Sequence, residues 1–128
     1  MKLNYKNINR TLVYVGLESY ESRYSKQLLE WNTREFDRLG VQHIIIKGDE
    51  SQQTGVITTG QVLDAHGRSI WSLQQMIKLV QGLASRAIGG NDVIFFEDMF
   101  HPGIEALLYI KQQTPEVDFP KVYVRCLA

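Results

Sequence analysis

The fold class follows from residues 11–47, which read TLVYVGLESYESRYSKQLLEWNTREFDRLGVQHIIIK. Residues 11–16 form a β-branched and aromatic run that ends in glycine, as a buried parallel strand does before a turn. Residues 22–39 repeat apolar side chains every three or four positions, which predicts an amphipathic helix, and residues 41–47 predict a second strand. Because strands joined through a helix run parallel with a right-handed crossover, this stretch predicts a βαβ unit.

The same alternation of helices and strands continues toward the carboxyl terminus. In the helix predicted over residues 69–87, the buried stripe consists of Leu73, Met76, Ile77, Val80, Leu83 and Ala84. The further elements are a helix over residues 69–87 capped by Ser69, a strand over 92–98, a helix over 103–113 with Pro102 at its first position, and a strand over 121–127. Short edge strands are predicted over residues 55–59 and 61–63. The pattern predicts an α/β, Rossmann-like three-layer sandwich with a mostly parallel sheet of about five main strands.

Composition restricts the class of protein. The chain has 128 residues, which is room for one domain, and 44% of them are hydrophobic, which predicts a packed soluble domain. Fourteen basic and fourteen acidic residues balance, so no global field holds nucleic acid, which is expected only as an acceptor substrate. The single cysteine, Cys126, predicts a reducing, cytoplasmic location and a place in the core, and no apolar run is long enough to span a membrane.

Three loops follow the predicted strands or precede helices at the edge where parallel sheets bind ligands. In the first, Gly16 allows close approach of a ligand and Glu18 supplies a carboxylate. The second and third loops carry more chemistry, because they combine carboxylates, imidazoles and a guanidinium suited to binding hydroxyls or moving a proton. The candidate residues in these two loops are Asp64, His66 and Arg68, then Glu97, Asp98, His101 and Gly103.

Each of these loops also has a purely structural interpretation. An ordinary turn explains Gly16 and Glu18, helix capping explains Asp64 and Ser69, and a helix dipole explains Glu105. The chain has no GxGxxG or GxxxxGK[ST] loop, and its three histidines do not have the spacing of a zinc site, so no metal and no bound cofactor are predicted.

Residues 60–68, 92–107 and 121–128 together resemble the amino-terminal half of GT-B glycosyltransferase-like proteins of bacteria and large tailed phages. The resemblance implies two facing Rossmann-like domains, of which residues 1–128 are the acceptor-side half and a second domain, in cis or in trans, holds a nucleotide-sugar co-substrate. It implies that Glu97, Asp98 or His101 binds or activates an acceptor hydroxyl. Glu18 and His66 would then help to position the acceptor.

The end of the chain fits that implication, because it stops at Ala128 after a predicted interior strand with no closing helix. Two other functions stay open. One is a self-contained flavodoxin-like module that binds a nucleotide or nucleoside without chemistry. The other is a nucleoside-processing enzyme similar to a deoxyribosyltransferase, in which Glu97 or Glu105 attacks an anomeric carbon. If the loop residues serve binding, we expect His101→Ala to leave folding nearly intact.

Overall fold

The structure, a computed structural model, describes residues 10–17, 24–49 and 65–126. The described elements alternate as predicted, although the first three strands are shorter at both ends than predicted and the last strand is shorter at its carboxyl end. They are β1 (Leu12–Val15), α1 (Tyr24–Leu39), β2 (His43–Ile46), α2 (Ala65–Ala84), β3 (Val93–Phe96), α3 (Gly103–Gln112), a 3₁₀ turn (Glu116–Asp118) and β4 (Lys121–Val124). The predicted edge strands over 55–59 and 61–63 lie outside the described residues.

The described strands form one parallel sheet in the order β2-β1-β3-β4, which confirms the α/β fold with four strands. Successive side chains of a strand point to opposite faces, so β1 sends Tyr14 to one face and Val13 and Val15 to the other. Tyr14 contacts Phe36 of α1, with ring centroids 5.6 Å apart. Val13 and Val15 pack in a cluster with side chains of α2 and α3. Helices therefore cover both faces of the sheet, as the predicted three-layer sandwich requires.

The main apolar core lies between the sheet and the α2 and α3 helices. Its buried members are Val13, Val15, Leu79, Ile88, Ile94, Phe96, Leu107 and Phe119. All of the strand residues in this cluster occupy alternate positions of β1 and β3, because only one face of each strand meets these helices. Among the described residues, no helix combines the length and apolar composition that a membrane crossing needs.

Three details differ from the sequence predictions. Helix α2 begins at Ala65, so Ser69 lies inside it and does not cap it. The first turn contains the buried Gly67, because tertiary packing outweighs the low helix propensity of glycine. Among the described strands β4 is an edge strand, where an interior one was predicted. Cys126 follows the end of β4 and is exposed, because the sheet contacts that bury a core residue stop before it.

Leu107 tests the position of the core. Its side chain is 3% exposed, whereas the neighbouring Leu108 is 56% exposed on the same helix. We expect Leu107→Ala to lower the free energy of unfolding by about 2–5 kcal/mol, because it removes buried methyl groups and leaves a cavity. Leu108→Ala is the matched control and should cost less than about 1 kcal/mol in the same urea titration. Equal losses for the two variants would contradict the described orientation of α3.

Candidate functional site

The strand order places a topological switch point at the carboxyl ends of β1 and β3. These two strands are neighbours at the centre of the sheet. The chain leaves β1 toward α1 on one face and leaves β3 toward α3 on the other. Connections that leave in opposite directions open a crevice between the strand ends, and open α/β sheets bind ligands there. The candidate site is therefore expected among the residues around Gly16 and Glu97.

Helix α2 holds the end of β1 through a buried glutamine. Gln75 is fully buried, and its amide nitrogen donates hydrogen bonds of 2.7 Å to the carbonyl oxygens of Gly16 and Ile46. The indole nitrogen of Trp71, one turn earlier, donates to the same Gly16 carbonyl at 3.3 Å. The backbone of Gly16 is thus fixed by two side chains of α2, and its carbonyl oxygen accepts bonds from the protein itself.

His101 continues this network from the loop between β3 and α3. The Nδ1 atom accepts a hydrogen bond of 2.9 Å from the backbone N–H of Gly103, so the proton lies on Nε2, which is 2.9 Å from the side-chain oxygen of Gln75. The residue is 6% exposed. Burial lowers the pKa of His101 to about 4. The negative charge of Asp98 opposes this shift, and the positive charge of Arg68 adds to it, both to a smaller extent.

Both ring nitrogens of His101 are therefore engaged inside the protein, and the imidazole is neutral at pH 7. This arrangement changes the expectation that His101→Ala would leave folding nearly intact, because the substitution removes a buried ring and leaves Gln75 and the Gly103 N–H without their partner. Gly103 belongs to the same contact, since a Cβ atom at that position would lie 2.9 Å from Nδ1 of His101.

Glu97 lies on the opposite face of the sheet. Its carboxylate is 1% exposed and accepts a hydrogen bond of 3.0 Å from the hydroxyl of Tyr14, which itself accepts one of 3.0 Å from the amide of Asn32. The Nη1 atom of Arg125 lies 2.8 Å from Oε1 of Glu97, an ion pair without the angle of a hydrogen bond. Four side chains, from β1, α1 and the residues that directly follow β3 and β4, thus meet on the α1 face of the sheet.

The ionisation of this cluster is governed by its burial. Burial raises the pKa of Glu97, and the Tyr14 hydroxyl and the Arg125 guanidinium oppose that shift by stabilising the carboxylate. Burial also raises the pKa of Tyr14, against the hydrogen bond from Asn32. Through its contacts with Tyr14 and Arg125, Glu97 links β1 to the end of β4, and its oxygens face protein atoms.

Asp98 has a different environment, although it follows Glu97 directly. Its Oδ2 atom lies 2.8 Å from Nη2 of Arg68, and its Oδ1 atom accepts a hydrogen bond of 3.0 Å from the backbone N–H of Phe100. This ion pair lines a cleft of about 450 Å³ between the first turns of α2 and the β3–α3 loop. Residues on its wall include Arg68, Ser69, Ser72, Asp98, Phe100 and Pro102.

Phe100 gives the cleft an apolar surface. It is 79% exposed, which is unusual for a phenylalanine and leaves most of its ring in contact with solvent. The cleft therefore combines guanidinium donors, carboxylate acceptors, serine hydroxyls and an aromatic ring. Such a set of groups binds polar molecules that also have an apolar face.

Two other hollows lie in the described part of the chain, and like the cleft they are lined by both polar and apolar side chains. One of about 410 Å³ lies between the last turns of α2 and α3, and one of about 860 Å³ runs between α3 and β4. Neither of them contains a residue predicted for the site. Within residues 10–17, 24–49 and 65–126, no group of three or more histidine, cysteine or acidic side chains is arranged to hold a metal ion.

Comparison with known proteins yields no match. Neither a family model, nor a curated protein, nor a solved structure matches this chain.

The structure brings several of the predicted site residues to one edge of the sheet and separates them by face. Asp98, Arg68, His101 and Gly103 lie on the side of α2 and α3, whereas Glu97 faces α1. His66 is exposed in the first turn of α2. Gly16 is buried, and Glu18 and Asp64 lie outside the described residues.

Sequence reasoning missed four residues of these networks: Gln75, Tyr14, Asn32 and Arg125. A signal for Gln75 was present, because Trp71, Gln75 and Leu79 are spaced by four and share a helix face, so a glutamine between two large apolar residues is expected to be buried. Arg125 had no such signal. Its contact with Glu97 depends on the pairing of β3 with β4, which the sequence does not specify.

Proposed function

We propose that this domain binds the acceptor of a cytoplasmic glycosyltransferase that uses a nucleotide-sugar donor. The observation that supports the proposal is the cleft at the carboxyl edge of the sheet, in which the Arg68–Asp98 pair lies beside the exposed ring of Phe100. A carboxylate and a guanidinium held side by side accept and donate hydrogen bonds to neighbouring hydroxyls. The ring supplies a surface for the apolar face of a sugar.

The roles of the site residues follow from their surroundings. Asp98 and Arg68 contact the acceptor, and Asp98 is the predicted acidic group best placed to accept a proton from an acceptor hydroxyl. His101 and Gly103 hold the loop that carries Phe100. Glu97 positions the end of β3 through its contacts with Tyr14 and Arg125 on the α1 face of the sheet. In this proposal the nucleotide-sugar is held by a second Rossmann-like domain, in cis or in trans.

A titration followed by nuclear magnetic resonance tests this proposal. The chain, labelled with ¹⁵N, is titrated with a panel of methyl glycosides and nucleosides, and separately with a nucleotide-sugar. We expect panel members to shift the amide signals of Ser72, Asp98 and Phe100, and the nucleotide-sugar alone to leave them unchanged. If no panel member shifts these signals, the cleft is not an acceptor site and the proposal fails.

A stand-alone nucleotide-binding module is the second candidate. The exposed ring of Phe100 favours it, because aromatic rings stack on nucleobases as readily as on sugars. This candidate predicts that a free nucleotide binds the isolated chain tightly and shifts the Phe100 signal without any other domain. Adding a free nucleotide as a further ligand in the same titration therefore separates the two functions.

A further inference from the structure

We infer that Asp98 determines the specificity of the cleft by excluding phosphorylated and other anionic ligands, so that its acceptor is an uncharged, hydroxyl-rich molecule. This inference rests on the proposed function and adds the class of ligand. It starts from the charge of the cleft wall, to which Arg68 contributes the cation and Asp98 the anion. These groups are 2.8 Å apart, and their side chains are one quarter or less exposed.

An anion that enters the cleft meets an arginine that is already neutralised. To reach Arg68, a phosphate would have to displace the carboxylate or lie within a few ångströms of it. Two like charges about 4 Å apart repel by about 1 kcal/mol in water and more beside protein, where the effective dielectric constant is lower. The nearby His101 adds no positive charge at neutral pH, because burial lowers its pKa to about 4.

Asp98 cannot easily turn away to leave Arg68 to an anion. Its second oxygen accepts the backbone N–H of Phe100, which fixes the carboxylate at the start of the loop. An uncharged hydroxyl meets no such obstacle. It donates to Asp98 or accepts from Arg68 without separating the pair, and each such bond to a charged group is stronger than one between neutral groups.

The test is Asp98→Asn, which removes the charge and keeps an oxygen for the Phe100 N–H. Inorganic phosphate is the first probe, because its binding does not depend on the identity of the sugar. We expect phosphate to bind Asp98→Asn at least about tenfold more tightly than it binds the wild-type cleft, with the gain lost at high salt. Glu116→Gln is the control, since it changes the net charge equally in the 3₁₀ turn, far from the cleft in the fold.

A second probe compares each panel member that binds with its phosphorylated counterpart. We expect the uncharged compound to bind the wild-type protein about tenfold more tightly, and Asp98→Asn to remove that preference. Phosphorylated compounds that bind the wild-type cleft equally well would overturn the inference and leave the proposed function standing. An absence of any ligand in the cleft would instead contradict the proposed function.

A further variant covers the case in which Asp98→Asn fails to fold, which circular dichroism would show. Arg68→Gln leaves Asp98 as the charged group of the cleft wall and should weaken a phosphorylated ligand by a larger factor than its uncharged counterpart. Loss of uncharged ligands, with phosphorylated ones unaffected, would overturn the inference.

Discussion

Gly90→Ala is expected to lower the free energy of unfolding by about 3–5 kcal/mol, the largest loss we predict for a single methyl group. A Cβ atom at Gly90 would lie against the carbonyl oxygen of Val117 and 2.9 Å from its carbonyl carbon. Both are backbone atoms of the 3₁₀ turn that leads into β4, so no flexible side chain can move aside. The turn or the start of β3 has to shift, and chemical denaturation measures the cost.

The adjacent glycine provides the control for this experiment. A Cβ atom at Gly89 would meet no atom within 4 Å, and its backbone is not in the left-handed region. Gly89→Ala should therefore change the free energy of unfolding by less than about 0.5 kcal/mol. If both variants are equally stable, the described contact between Gly90 and the turn at Val117 is wrong.

Strand polarity is the part of the fold that could be read from the sequence. The run from Thr11 to Gly16 and the run from Asp92 to Asp98 are apolar and β-rich, which identifies buried parallel strands without any knowledge of their neighbours. The helix between the first two strands then fixes their relative direction. For these reasons the sheet and the edge that carries the site were predictable.

The face of α2 that packs on the sheet was predicted only in part, because Leu83 of the predicted stripe packs against the core and other members do not. Leu73 and Ile77 belong to the most apolar stripe of this helix, and both are exposed. The buried face is instead centred on Trp71, Gln75 and Leu79. Hydrophobicity alone does not place Gln75 on the buried face. Its side chain is buried because it bonds to three polar groups, the carbonyl oxygens of Gly16 and Ile46 and the ring of His101, and these groups come together only after the strands are assembled.

The candidate site was predictable in place and not in detail. Glu97 and Asp98 follow β3 directly, and consecutive residues of an extended chain point in opposite directions, so their separation onto two faces follows from the period of a strand. Their partners do not follow. Arg68 is thirty positions from Asp98, and Arg125 directly follows the neighbouring strand β4, so these ion pairs depend on the order of strands and helices in space.

His101→Gln is expected to lower the free energy of unfolding by about 3 kcal/mol at pH 7, and this loss should shrink as the pH falls. Its pKa is about 4 in the folded protein against an ordinary value of 6.5. Between these values the unfolded chain binds the proton and the folded chain does not, so stability from the neutral ring is complete above pH 6.5 and decreases toward pH 4. A shift of this size corresponds to about 3 kcal/mol.

Because the stability contributed by Glu97 also changes with pH, the effect of His101 has to be measured as the difference between the wild-type protein and His101→Gln. Its raised pKa means that the folded state keeps its proton to higher pH than the unfolded state, so its contribution decreases as the pH rises above the ordinary glutamate value. This dependence opposes that of His101 and would hide part of it in the wild-type curve. Because Glu97 is present in both proteins, the difference between the wild-type and His101→Gln curves isolates the imidazole.

His66 supplies the matched control for this difference, because it is an exposed histidine in the first turn of α2. Urea titrations from pH 4 to pH 8 should give His66→Gln a stability within about 0.5 kcal/mol of the wild-type protein throughout. A His101→Gln difference that stays constant over this range would mean that His101 titrates alike in both states, and the buried contact with Gln75 and Gly103 would then be incorrect. A difference that closes near pH 4 supports a buried, neutral His101 in the folded protein, where its contact with Gly103 holds the loop that carries Asp98 and Phe100.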